Sequence, residues 1–159
     1  YTQFSHFVDL MYWVFGDITN LQSTVRNFTH PHLKDFDDSG FAQFEFLRGG
    51  IGSINYSTSC WDTNMESSIT VVGSKGSVKV GGQYMNEIEY CHVENNEKPT
   101  LPPTNPPNDY GPYKGSAANH HYVFQNVVDV LTGRTDITAT AFEGLKVVQM
   151  IENIYDAAR

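Results

Sequence analysis

Residues 2–13 read TQFSHFVDLMYW, and this stretch does most to define the fold because it predicts an amphipathic helix. Its apolar side chains recur every three or four residues, which places them on one helical face toward a core: Phe4, Phe7, Val8, Met11, Val14 and Phe15. Thr2, His6, Asp9 and Trp13 share the opposite face. The pattern predicts a helix already under way at residue 1. Because a natural chain rarely begins in mid-helix, we expect this sequence to be a fragment.

The composition is typical of a globular domain. The 159 residues suit a single domain over 1–159, with 40% hydrophobic and 18% charged residues. A net charge of -8 argues against nucleic-acid binding. No apolar run approaches the roughly 20 residues that span a bilayer, so we expect no membrane association and a cytoplasmic location.

No metal site is expected. Cys60 and Cys91 lack a metal-ligand spacing, and both fall in strand-like segments, which favours buried free thiols in a reducing cytoplasm. His120 and His121 are adjacent, so on a helix they point in different directions and form a poor chelating pair.

The first two thirds of the chain predict strands joined mainly by tight turns. Gly16 ends the first helix, and strands are expected at 18–30, 41–46, 51–58, 67–72, 77–80 and 87–93. This gives about six strands in a largely antiparallel open sheet. With helices packed on one face, the fold class is α+β. The other sheet face also has to be covered, and the simplest way is contact with a partner subunit. This predicts a homo-oligomer.

Residues 94–118 are expected to form a long loop that is neither helix nor central strand. Five of the seven prolines fall between residues 98 and 108. A helix then runs from about Asn119 to Thr132, with Gly133 as its stop. Thr140 and Glu143 form a capping box for the last helix, whose buried face is expected at Phe142, Leu145, Val148, Ile151 and Tyr155.

Three segments together resemble the C-terminal domain of the Gfo/Idh/MocA family of NAD(P)-dependent sugar dehydrogenases, over essentially the whole chain. They are residues 5–10 (SHFVDL) with 13–16 (WVFG), residues 73–78 (GSKGSV) and residues 142–151 (FEGLKVVQMI). Within the family, residues 1–7 and 78–82 look most like the bacterial UDP-N-acetylglucosamine 3-dehydrogenase branch. That branch oxidises C3 of a UDP-linked N-acetylhexosamine uronic acid during surface polysaccharide synthesis.

The resemblance implies an N-terminal Rossmann domain outside this sequence, carrying the glycine-rich loop that binds NAD or NADP and a catalytic lysine. The isolated fragment is therefore expected to bind no cofactor and to be inactive. The family's catalytic histidine corresponds to His6. Many members carry an aspartate one helical turn earlier, and Thr2 stands there in this chain. Either His6 or the lysine of the missing domain is the main base, and in the second case His6 orients the substrate.

A sugar-nucleotide pocket is predicted around the start of the second helix, facing Gln3 and His6. Its members are Tyr110, Tyr113, Lys114, Asn119 and His120. A helix N-terminus suits a carboxylate or phosphate, and Lys114 adds positive charge in an acidic chain. The alternative is that Asn119 is only an N-cap and the tyrosines pack beneath the proline loop.

Simpler functions are also open. His6 could be a surface histidine that pairs with Asp9. The chain could be an assembly module that dimerises through its open sheet face, or a non-catalytic sugar-binding domain. A dinucleotide-binding fold upstream in the gene would favour the dehydrogenase over either alternative.

Overall fold

The computed structural model describes residues 4–62, 65–111 and 114–159, with the backbone alone for Lys114 and Ser116. Its helices are α1 (Ser5–Phe15), α2 (His120–Leu131) and α3 (Ala141–Asp156). Its strands are β1 (Ile18–Arg26), β2 (Ser39–Phe46), β3 (Ile51–Ser57), β4 (Ile69–Gly73), β5 (Gly76–Gly81), β6 (Glu87–Val93), β7 (Pro107–Asp109) and β8 (Lys114–Ala117). The α+β prediction is confirmed.

The chain divides into two compact units, here called unit 1 (Tyr1–Cys60 with Thr138–Arg159) and unit 2 (Trp61–Ile137). Unit 1 contains the antiparallel sheet β1-β2-β3 with α1 and α3. Unit 2 contains the antiparallel sheet β4-β5-β6, the β7-β8 pair and α2. The six predicted strands therefore form two sheets of three. The β2–β3 turn lies at Gly49 and Gly50, where φ values of 98° and 103° favour glycine.

The expectation of a strandless loop over 94–118 is wrong at its end. Pro107–Asp109 and Lys114–Ala117 form a short antiparallel pair. Proline lacks an N–H donor, but it fits the first position of an edge strand, and Pro107 occupies that position in β7.

The core of unit 1 lies where α1 and α3 pack on one face of β1–β3. Its buried cluster comprises Val8, Met11, Phe44, Val147, Met150 and Ile151. Burying one such side chain stabilises the fold by about 1.5–3 kcal/mol. The Ser23 hydroxyl also donates a hydrogen bond to the Ile154 carbonyl, which joins β1 to α3.

The capping box that starts α3 is confirmed, but the predicted buried face of this helix is partly wrong. The Thr140 hydroxyl accepts from the Glu143 amide, and the Thr140 amide donates to the Glu143 carboxylate. The buried residues are Val147, Met150, Ile151 and Ile154, and Tyr155 packs at the edge of this core. Phe142, Leu145 and Val148 are exposed. The helix is apolar on two sides, so periodicity alone could not select the side that meets the sheet.

Helix α2 forms where predicted and ends before Gly133, whose φ is 71°. None of its residues is buried. Its apolar side chains are exposed, including Val123, Phe124, Val127, Val128 and Leu131.

The prediction of two buried cysteines in strands is wrong for Cys60. This thiol is exposed and follows β3, which ends at Ser57. Cys91 lies in β6 and is half-buried, and both are free thiols. No helix in the described part of the chain is long and apolar enough to cross a membrane.

Asp38 anchors the connection between β1 and β2. Its side chain is fully buried. It accepts hydrogen bonds from the amides of Phe28 (3.0 Å) and Thr29 (2.8 Å), and from the Thr29 and Ser39 hydroxyls at 3.0 Å each. The His30 Nδ1 atom lies 3.1 Å from Oδ2. Burial alone would raise the pKa of Asp38, but these hydrogen bonds outweigh it and hold the pKa well below its usual range.

We expect Asp38→Asn to change how stability depends on pH. A carboxyl whose pKa is lowered by folding contributes stability above its unfolded pKa of about 3.9. This contribution is lost as the pH falls toward the lower, folded value. Urea unfolding between pH 2 and 7 should therefore show a steeper acid loss for the wild type than for Asp38→Asn.

Asp35→Asn is the matched control for this measurement. Asp35 is exposed in the same connection, and its φ of 52° is one that asparagine tolerates. Identical pH dependence in the wild type and Asp38→Asn would contradict the assignment of the buried carboxylate.

Candidate functional site

His6 lies in the first turn of α1, on the side of the helix away from the core. The side chain is exposed, as predicted for the polar face, and so are Asp9 and Trp13. The His6 and Phe7 ring centroids are 4.4 Å apart. Although His6 is exposed by surface area, neighbouring groups partly desolvate its imidazole, which disfavours the charged imidazolium and lowers the pKa of His6. A neutral imidazole is the form that can accept a proton.

The alternative role of His6 as a partner of Asp9 finds no support, since the ion pairs of the described residues do not include this pair. The first turn itself has no side-chain cap. Phe4 occupies the N-cap position, and its carbonyl accepts from the Phe7 amide at 3.1 Å. The helix therefore presents His6 at an uncapped N-terminus.

The predicted sugar-binding residues that are described lie in unit 2, around β7, β8 and the start of α2. The Tyr110 ring lies against Gly115, where an added Cβ would be 2.8 Å from Tyr110 Cε2. Lys114 pairs with Asp109 in the β7–β8 register. Asn119 immediately precedes α2 and His120 is its first residue; both are exposed.

Asn119 occupies the N-cap position of α2, but its side chain does not cap the helix. Its Oδ1 atom instead accepts a hydrogen bond of 2.7 Å from Asn105 Nδ2. The carboxamide thus ties the proline-rich segment to the start of the helix. The structure therefore does not support the alternative in which the Asn119 side chain acts only as an N-cap.

Two predicted site residues, Gln3 and Tyr113, lie outside the described residues. His6 belongs to unit 1, whereas Tyr110, Lys114, Asn119 and His120 belong to unit 2. The joint pocket therefore stays a prediction.

A cleft that sequence reasoning missed lies at the C-terminal end of α1. Its volume is about 360 Å³, and it is lined by Tyr12, Trp13, Gly16, Asp17, Leu47, Arg48 and Glu143. Asp17 is held by Lys146 Nζ at 3.1 and 3.2 Å. His6 is not among the lining residues.

Neither a metal nor a dinucleotide has an evident place in the described residues. They contain no group of three or more metal-ligating side chains. The sequence has no GxGxxG loop of the kind that cradles a pyrophosphate.

Comparison with known families identifies one match. The family described as the GFO/IDH/MocA C-terminal domain matches residues 1–79. No curated protein sequence matches the chain.

Several solved structures share the fold. The WlbA dehydrogenase from Bordetella pertussis, solved with NADH and UDP-GlcNAcA, is 27% identical with a TM-score of 0.77, covering 99% of this chain and 41% of its own. The WlbA dehydrogenase from Chromobacterium violaceum, with the same two ligands, is 25% identical with a TM-score of 0.77, covering 99% and 43%. The UDP-N-acetylglucosamine 3-dehydrogenase GnnA from Acidithiobacillus ferrooxidans is 9% identical with a TM-score of 0.71, covering 97% and 45%, and supports the fold alone.

The chain spans about two fifths of the length of the two WlbA structures.

The partial desolvation of the His6 imidazole predicts that it loses its proton at a lower pH in the folded chain than in the unfolded chain. NMR titration of the ring protons should give a folded pKa below the ordinary value of about 6.5, which should return in urea. His6→Gln identifies the resonance by its loss. Equal titration in folded and urea-unfolded chain would contradict the partial desolvation.

Proposed function

We propose that this chain is the substrate-binding domain of an NAD(P)-dependent sugar dehydrogenase, because its residues 1–79 match the GFO/IDH/MocA C-terminal domain family. The proposed reaction is oxidation of C3 of a UDP-linked N-acetylhexosamine uronic acid. The observation that carries the substrate class is the likeness to the two WlbA dehydrogenases, each solved with NADH and UDP-GlcNAcA.

We propose that His6 takes the proton of the reacting hydroxyl. Oxidation of a secondary alcohol removes a hydride from carbon and a proton from oxygen, and NAD(P) supplies the hydride acceptor. A neutral imidazole at an exposed helix end can receive the proton, and the lowered pKa of His6 favours this neutral form. If the lysine of the missing domain is the main base, the same position lets His6 orient the hydroxyl.

The residues of this chain do not themselves fit a dinucleotide, because the glycine-rich loop is lacking. The proposal therefore assigns NAD(P) to a Rossmann domain outside this sequence. The isolated chain is proposed to be inactive for the same reason, and the tests below use the complete enzyme.

We further propose that Gln3, Tyr110, Tyr113, Lys114, Asn119 and His120 bind the sugar nucleotide. Within unit 2, the β7–β8 pair and the bond between Asn105 and Asn119 gather the segments that carry four of these residues. The exposed start of α2 offers the positive end of a helix dipole, which suits the negative charges of a UDP-uronate.

One side of the β1–β3 sheet carries exposed apolar side chains. Phe41 and Ile51 are exposed on β2 and β3. We propose that this open side of the sheet, also lined by the hydrogen-bonded pair Gln22 and Gln43, contributes to a homo-oligomer. A cytoplasmic location fits the nucleotide substrates.

The role of His6 is tested by His6→Ala in the complete enzyme. Loss of a general base should lower kcat by roughly 10²-fold or more, with a smaller change in KM. The acid limb of the wild-type pH profile should lie below about 6.5 and should be absent in the variant. His92→Ala, at an exposed position of β6, is the control. An unchanged kcat in His6→Ala would remove His6 from the mechanism.

The role of Lys114 is tested by Lys114→Ala. A lysine that holds a non-reacting, anionic part of the substrate contributes to binding in ground and transition states alike, so KM should rise more than kcat falls. Lys75→Ala is the control, because this lysine is 82% exposed and pairs with Glu94 at 3.6 Å. A wild-type KM in Lys114→Ala would argue against the assignment.

A further inference from the structure

Three residues of unit 1 form a stack that ends at the first turn of α1. Gly40 of β2 and Tyr56 of β3 are direct partners in the antiparallel register. The Tyr56 ring covers Gly40 so closely that an added Cβ would lie 2.5 Å from Tyr56 Cε1. The Phe4 ring packs on Tyr56 with centroids 4.8 Å apart and planes at 39°. Position 40 therefore needs glycine, because any larger side chain would collide with the Tyr56 ring.

The other end of Tyr56 is fixed as well. Its hydroxyl is buried beside Tyr155 of α3. Burial, followed by contact with Tyr155 and the charge of Asp37, raises the pKa of the Tyr56 phenol, so this group stays neutral. The ring is thus held between β2, α3 and Phe4.

This stack matters because, among residues 4–62, no side-chain cap hydrogen bond fixes the start of α1. The Phe4 side chain makes no capping hydrogen bond, and the Phe7 amide donates to the Phe4 carbonyl in the first turn. An uncapped terminus frays readily. The aromatic contact of Phe4 with Tyr56 is a restraint at this point, and His6 lies two residues beyond Phe4.

We propose that Tyr56, seated on Gly40 and packed against Phe4, is a positioning residue that fixes the first turn of α1 and thereby the imidazole of His6. Tyr56 acts through Phe4, by keeping His6 in one place while a substrate hydroxyl approaches. The expected effect of Tyr56 on catalysis rests on the proposed function. Its expected effect on the first turn of α1 does not.

The structural consequence is tested on the chain itself by hydrogen exchange and NMR. Tyr56→Leu removes the ring, and Gly40→Ala displaces it. In both variants the Phe7 amide should exchange at least about fivefold faster, after correction for global stability, because its bond to Phe4 opens more often. The pKa of His6 should rise toward about 6.5, because a frayed turn removes the neighbouring groups that partly desolvate the imidazole. Tyr56→Phe, which keeps the ring, should retain the slow exchange.

Gly52→Ala is a matched control. A Cβ there would also lie 2.5 Å from an aromatic carbon, Phe44 Cε2, so the closest approach is the same at both positions. Gly40 and Gly52 both lack positive φ, so alanine acts at either position only through space. Gly52→Ala should lose stability without changing the His6 titration or the corrected exchange of the Phe7 amide. If Tyr56→Leu and Gly40→Ala behave like Gly52→Ala, the proposal is overturned.

In the complete enzyme, Tyr56→Leu should lower kcat with little change in KM, because a misplaced base affects the chemical step more than binding. A wild-type kcat in this variant, with His6→Ala strongly impaired, would overturn the catalytic consequence. If His6→Ala itself is unimpaired, the proposed function fails, and exchange and titration still decide whether Tyr56 positions His6.

Discussion

Packing of two helices against one face of β1–β3 is the constraint on which unit 1 depends. Val8 and Met11 of α1 meet Val147, Met150 and Ile151 of α3 above Phe44 of β2. The α1 and α3 residues lie far apart in the sequence, so their burial joins the first and last segments of unit 1. It also fixes which side of α1 faces outward. The exposed position of His6 is a consequence of where Val8 and Met11 are buried.

Hydrogen bonds and aromatic contacts fix two parts of unit 1 that the apolar core does not hold, the β1–β2 connection and the start of α1. The buried Asp38 carboxylate gathers donors from residues 28–30 and 39, and so holds the long connection between β1 and β2. Close by in sequence, Gly40 gives the Tyr56 ring its place beneath Phe4. Burial of apolar area is non-directional, whereas hydrogen bonds and ring contacts have direction. Hydrogen bonds and ring contacts can therefore fix the position of individual side chains, which the proposed proton transfer at His6 requires.

Unit 2 is organised by the backbone more than by a core. Its strands pair in register, and its surface carries ion pairs such as Lys79 with Glu89 at 2.6 Å. The buried apolar residues in the described part of the chain all come from unit 1. The segments expected to bind the sugar nucleotide, at β7, β8 and the start of α2, are thus displayed on short strands and an exposed helix end.

The sequence by itself determined the elements whose signals are local. The 3.6-residue period predicted α1 and its outward His6, Gly49 and Gly50 predicted the hairpin, and Thr140 with Glu143 predicted the start of α3. Only the tertiary structure decided which apolar side of α3 is buried, because both sides have helical periodicity. The five donors around Asp38 and the seat of Tyr56 on Gly40 were likewise invisible in the sequence. Apart from the adjacent Ser39 hydroxyl, they depend on groups 8 to 16 positions apart, which sheet register and loop closure bring together.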